Sequence, residues 1–193
     1  MLPDNETRIK ILDIAEELFS ARGYSAVTLR DIASAAGMRH ASLYYYVPGG
    51  KEQLFVEVME RNFQRHRTGM AQAIREAGSD LQSQVHSIAH WLTSQPPLDF
   101  VRMQKADMPA ISDENARRLM ELAYDALRLP IVSALEQARQ AGQVNLVDLN
   151  LAAMALISLI LSVHSIPGLS SNEARLKIGQ DLADMLLNGW LKR

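Results

Sequence analysis

Three of the chain's five tyrosines, Tyr44, Tyr45 and Tyr46, are consecutive, and Arg39, His40 and Ser42 come just before them. This cluster combines phenols, cations and a hydroxyl, and its chemistry is that of binding. A phenol donates to phosphate oxygens, and its ring packs on a sugar or a thymine methyl. Enzyme chemistry finds little support elsewhere. The 193 residues include no cysteine, which excludes disulfides, thiolate catalysis and cysteine-bound zinc. A Gly-rich phosphate loop and a Ser–His–acid set in suggestive context are also missing. His86 and His90 have the four-residue spacing of a helical metal pair. HSIAH lacks the glutamate of a zinc protease, and no third ligand is evident. No metal and no cofactor are expected, and a polar helix face with one histidine turned into the body is the simpler reading.

The elements that position these residues are all helical. Apolar residues make up 48% and charged residues 22%, as in globular chains. The apolar periods are those of helices throughout, which predicts an all-α fold of about nine helices. The first carries Ile9, Leu12, Ala15, Leu18 and Phe19 as its stripe and stops at Gly23. Thr28 opens a short second helix, and a short third ends at Pro48. A long fourth runs from Gly50 to Ala77 with Leu54, Val58, Phe63, Met70 and Ile74 on one face. Ser79-x-x-Gln82 and Ser170-x-x-Glu173 read as capping boxes of the fifth and ninth helices. Between them lie a short helix from Asp99 to Asp107, a long one to Ala141 that Pro130 should kink, and an apolar one capped by Asp148. The longest apolar run, Leu151 to Val163, is shorter than the about 20 residues of a membrane span, so no membrane partner is expected. MLPDNETRIK lacks the apolar core of a signal peptide, which predicts a cytoplasmic protein.

Leu29 to Tyr46 satisfy the demands of a helix-turn-helix. Ala33 is small where the second helix crosses, and Gly37 tolerates positive φ in the turn. Ile32, Ala36, Met38 and Leu43 supply the apolar seam. Successive residues on a helix turn by about 100°, so with Leu43 inward Tyr45 faces outward and Tyr44 and Tyr46 flank it. Tyr46 serves equally well as the last piece of a small core. The net charge of −2 carries no signature of nucleic-acid binding, but from Thr28 to Lys51 there are three cations against one acid.

TLRDIASAAGMRHASLYYYVPGGKEQL resembles the N-terminal DNA-binding signature of the TetR (tetracycline-repressor-like) family, over about Ile9 to Phe55. The remaining helices are similar in number, order and length only. The resemblance implies a DNA-binding domain at 1–50 and a ligand-binding and dimerisation domain at 51–193. It implies that Thr28 caps the second helix and touches phosphate, and that Arg30 reaches bases or phosphate. It places Arg39, His40, Ala41 and Ser42 near base edges, Tyr44 and Tyr45 on backbone or bases, and Lys51 on phosphate. Arg39 stands where the family often has a small hydroxyl residue; it reads guanine or is a surface charge. His40 stands where a lysine is common and would hold phosphate best when protonated. Val47-Pro48-Gly49-Gly50 departs from the usual aromatic and shorter link.

One short recognition helix supplies little specificity, so a homodimer with heads roughly 34 Å apart on operator DNA is expected. The seam is expected on the last two helices, with Leu149, Ala153, Leu156, Ile157, Ile160, Leu182, Met185, Leu186 and Trp190. Their alternative role is the core of one chain. His90, Trp91, Phe100, Met103, Met108, Met120, Tyr124 and Leu127 suit an adaptable pocket for a small apolar effector, or an ordinary core. Arg102 and Lys105 are placed to meet a carboxylate at its mouth. The function expected is a ligand-responsive transcriptional regulator, a repressor of a palindromic operator. The alternative is a DNA-binding regulator whose body binds a protein partner.

Overall fold

The computed structural model describes residues 5–95, 100–169 and 171–190. Among these residues the secondary structure is helical, with nine α-helices, one π-turn and two 3-10 turns. Two compact units form. One comprises Met1–Phe63 with Asp99–Ala123, the other Gln64–Leu98 with Tyr124–Arg193.

In the first unit, α1 (Asn5–Arg22) buries Ile11, Leu12, Ala15 and Phe19. The expected stripe was rotated: Ile9 is 45% exposed and Ile11 takes its place in the core. α2 (Leu29–Ala35) and α3 (His40–Tyr46) are each seven residues long, too short to persist without tertiary packing. Ile32, Ala33, Ala36 and Leu43 supply that packing and are buried; Met38 is half-buried. Gly37 turns the chain with φ +70°, and the Met38 N–H donates back to the Ala33 carbonyl at 2.9 Å. A side chain at this backbone conformation would be strained, which is why the turn needs glycine.

α4 (Gly50–Glu76) starts in the first unit, where Leu54, Phe55, Val58 and Phe63 are buried, and continues into the second. After residue 100 the short helix expected over Asp99 to Asp107 is α6 (Phe100–Arg102), a π-turn (Met103–Asp107) and a 3-10 turn (Met108–Ala110). Asp99 lies outside the described residues. α7 (Asp113–Gln140) is assigned as one helix through Pro130. It begins in the first unit, tied to α4 by Glu52, whose Oε1 accepts from the Ser112 N–H and hydroxyl and from Asn115 Nδ2.

In the second unit, α5 (Leu81–Ser94) is capped by Asp80, not by Ser79 as the sequence pattern suggested: Asp80 Oδ2 accepts the Ser83 N–H at 2.8 Å. α8 (Leu149–Leu161) has the expected Asp148 cap and passes into the second 3-10 turn (Ser162–Ser165). The Ser171 hydroxyl accepts the Ala174 N–H at the start of α9 (Asn172–Trp190). The expected cap Ser170 lies outside the described residues. α5 lies along α9, and α8 packs on both. Gly179 permits the approach: a Cβ there would stand 3.0 Å from Thr93 Cγ2. Among the described residues no helix is long and apolar enough to cross a membrane.

Candidate nucleic-acid interface

Leu43, fully buried, and Val47, nearly so, anchor α3 from one side. The opposite side is open: Tyr44 is 48% and Tyr45 54% exposed, and Arg39, Ala41 and Ser42 are exposed as well. Tyr46 and His40 are half-buried. The His40 and Tyr44 rings meet edge-on at 5.2 Å, as do those of Tyr45 and Tyr46, so the phenols are braced by neighbours. Arg39 is the N-cap of α3 and makes no side-chain cap bond, which leaves its guanidinium at the exposed start of the helix. Arg30 is exposed on α2. Thr28 closes a reciprocal capping box: its hydroxyl oxygen accepts the Asp31 N–H at 3.1 Å, and Asp31 Oδ2 accepts the Thr28 N–H at 2.8 Å. The Thr28 side chain and backbone bonds hold the Asp31 carboxyl below its usual range.

Lys51, which the resemblance implies meets phosphate, is turned to the backbone in the structure. Its Nζ donates to the Tyr24 carbonyl at 2.9 Å and the Val27 carbonyl at 3.0 Å, and it lies 4.0 Å from the centre of the Tyr24 ring. Burial pushes its ammonium below the ordinary lysine range. Its donors are directed at the turn between α1 and α2, so its first role is to hold that turn.

The eight residues expected to line an effector pocket are shared between the units. In the first unit Met103 and Met108 are buried and Phe100 and Met120 half-buried. In the second Leu127 is buried, Trp91 half-buried, and His90 and Tyr124 exposed. Tyr124 carries the Arg128 guanidinium over its ring at 4.8 Å. Trp91 packs against Gly69, where a Cβ would stand 1.9 Å from its ring, and its indole N–H donates to Nδ1 of buried His66 at 3.3 Å. His66 and Gly69 were not visible as partners in the sequence; the small residue one turn from a histidine was the only signal. His86 is engaged by Asp184 at 2.7 Å. Arg102, expected to meet a carboxylate at a pocket mouth, donates from its guanidinium to the Ser20 carbonyl at the end of α1, whereas Lys105 is exposed. The first unit also has a polar cleft of about 500 Å³ lined by Glu52, Gln53, Glu57, Glu60, Asn115 and Arg118. Its carboxylates are paired, Glu57 with Arg8 at 2.6 Å and Glu60 with Arg118.

The residues expected at the dimer seam divide between buried and exposed positions. Leu149, Ala153, Leu156, Ile157 and Ile160 are buried within one chain, because α5 and α9 already cover that face of α8. What α8 and α9 leave outside is Leu151 at 68% and Met185 at 71% exposure, with Leu182 and Leu186 half-buried. The side chain of Trp190 lies outside the described residues.

A short helix presented by a buried leucine across a glycine turn, aromatic and cationic on its free side, defines a helix-turn-helix protein. The family model described as bacterial regulatory proteins, tetR family, matches residues 11–58, which contain the whole surface from Thr28 to Lys51. Residues 11–58 thus carry the DNA-binding segment of the tetR family of bacterial regulatory proteins. It is 44% identical over 54 residues to the HTH-type transcriptional regulator LmrA of Bacillus subtilis, covering 28% of this chain and 29% of that protein. It is 37% identical over 81 residues to the HTH-type transcriptional repressor KstR2 of Rhodococcus jostii, covering 42% of this chain and 39% of that one. These alignments thus span well under half of the relatives' own lengths. The fold continues beyond them: the fatty acid degradation regulator FadR of Bacillus halodurans superposes over 97% of this chain and 98% of its own, with TM-score 0.75 at 16% identity.

Proposed function

We propose that the chain is a ligand-responsive transcriptional repressor that binds a palindromic operator as a homodimer and is released by a small apolar effector. Residues 1–50 form the DNA-binding part and residues 51–193 the effector and dimerisation part, working in the cytoplasm. The observation that carries this reading is the outward face of α3, where Tyr44 and Tyr45 are half-exposed around a helix pinned by Leu43. Arg39, His40, Ala41 and Ser42 meet base edges from the start of that helix, and Thr28 and Arg30 meet phosphate from α2. Lys51 contributes by holding the turn before Thr28. The dimer forms through the outer faces of α8 and α9, around Leu151, Leu182, Met185 and Leu186. An apolar effector is in keeping with the buried Met103 and Met108 and with the name of the fatty acid degradation regulator whose fold it shares.

The test is selection of duplexes from a randomised pool by the purified full chain, followed by affinity measurements on the enriched sequence. Enrichment of a palindrome is expected, with affinity falling steeply between about 50 and 200 mM salt as phosphate counterions are released. Tyr45→Ala removes a phenol worth about 1.5 kcal/mol to a charged phosphate, so binding weakens roughly tenfold while the melting temperature holds. Unchanged binding by Tyr45→Ala would show that the DNA face lies elsewhere.

A further inference from the structure

The turn from α1 to α2 is gripped from two sides by side chains distant in sequence. Lys51 holds its carbonyls from α4. From the other side comes a pair on the segment following α5. Asp107 Oδ1 accepts the Tyr24 N–H at 2.8 Å, 83 residues away. Arg102 donates from Nη1 to the Ser20 carbonyl at 2.7 Å and from Nη2 to the Phe19 carbonyl at 3.3 Å. The two side chains also face each other, with Arg102 Nε 3.6 Å from Asp107 Oδ2. The last carbonyls of a helix are left without intrahelical partners, and a cation is favourable there. Here the guanidinium takes that place and the carboxylate takes the amide just beyond it. Gly23 admits them: its φ is +78°, and a Cβ would stand 3.0 Å from Asp107 Oδ1.

The π-turn explains how one segment supplies both groups. Residues five apart on an α-helix point about 140° away from each other, at about 100° per residue. Over Met103–Asp107 the helix is wound as a π-turn, whose i→i+5 bonding brings residues five apart into adjacent turns. Arg102 and Asp107 thereby come to one side. Asp107 is only 5% exposed, and an unpaired carboxylate so buried would be costly, so its position depends on Tyr24 and Arg102. Four residues after Tyr24 stands Thr28, the cap of α2.

We propose that Arg102 and Asp107 are positioning residues for DNA binding: the π-turn presents them as a clasp that sets the α1–α2 turn, and with it the α2 cap and the α3 reading face. The proposal rests on the DNA-binding reading above and adds the regulation of that face. Rearrangement of residues 100–110 opens the clasp and lowers DNA affinity. By linkage, bound DNA keeps the clasp closed.

The test uses the full chain and a duplex that the wild type enriches from a randomised pool. Asp107→Ala and Arg102→Met are expected to weaken binding roughly tenfold, the scale of coupling through a single contact network. Asp107→Asn keeps an acceptor for the Tyr24 N–H and should restore most of the affinity. Ile131→Val, in the core of the second unit, serves as a stability control that lowers the melting temperature and leaves affinity near wild type. Hydrogen exchange on the wild type requires no variant: adding duplex should slow the amides of 24 and 103–107, although the latter are not part of the proposed DNA face. Failure of duplex to slow residues 103–107, or wild-type affinity in Asp107→Ala, overturns the clasp while leaving the DNA-binding reading intact. If Asp107→Ala does not fold, Arg102→Met and the wild-type exchange decide between the same outcomes. A wild type that enriches no duplex overturns the DNA-binding reading itself.

Discussion

Thr28 joins folding to recognition in a single side chain. It caps α2 through its hydroxyl, receives Asp31 in return, and stands exposed at the edge of the proposed DNA face. Loss of such a cap typically costs about 1 kcal/mol. Thr28→Ala should therefore lower the melting temperature by about 2–4 °C for a chain of this size. DNA affinity should fall with it, because the same change frees the start of α2. An unaltered melting curve would mean that Asp31 alone sustains the cap. Arg39, in contrast, caps nothing, and its guanidinium is free of any demand from helix α3. That separation of duties suits the base-edge contact proposed for it.

At the scale of elements, α3 exists because of what holds it. Seven residues cannot form a persistent helix alone, and Leu43 and Val47 tether it to the rest of the unit. α4 is fixed at its start by Glu52, which receives three hydrogen bonds from Ser112 and Asn115 at the start of α7. The bonds from Ser112 and Asn115 hold the Glu52 carboxyl below its ordinary value of 4.5. A carboxylate whose folded value is depressed contributes stability in full above its ordinary value and loses it as pH falls through the lower, folded value. The melting temperature should therefore decline as pH falls below about 4.5, and Glu52→Gln should flatten the acid side of that curve. Parallel curves for wild type and variant would remove Glu52 from the account. Because Glu52 is only partly covered, its effect on neutral stability is small and salt-sensitive.

At the scale of the whole molecule, the proposed function requires two heads and therefore an interface. The residues available are those that a single chain leaves outside, Leu151 and Met185 above all. Placing a charge there should break the pair: Leu151→Glu with Met185→Glu is expected to sediment as a monomer at concentrations where wild type is a dimer, with helical content unchanged. Leu156→Val, which is fully buried in one chain, should lower the melting temperature and leave assembly untouched. The opposite pattern would return the interface to the buried face of α8.

Much of this was legible in the sequence because it is local. The helical period, the glycine that turns Ala36 into Met38 and the inward Leu43 are set by neighbours within a few residues, and these positions agree with the structure. The outward direction of Tyr45 follows from Leu43 by the rotation of the helix alone. Other assignments depended on which surfaces meet. Periodicity marks the apolar face of α8 but does not say what covers it; within one chain α5 and α9 pack on it. The sequence offered a carboxylate for Arg102 and a phosphate for Lys51; the fold brings carbonyls of the α1–α2 turn within reach of both. Local order comes from torsions and spacing along the chain; a side chain's partner comes from packing between segments far apart in it, and only the tertiary structure decides that.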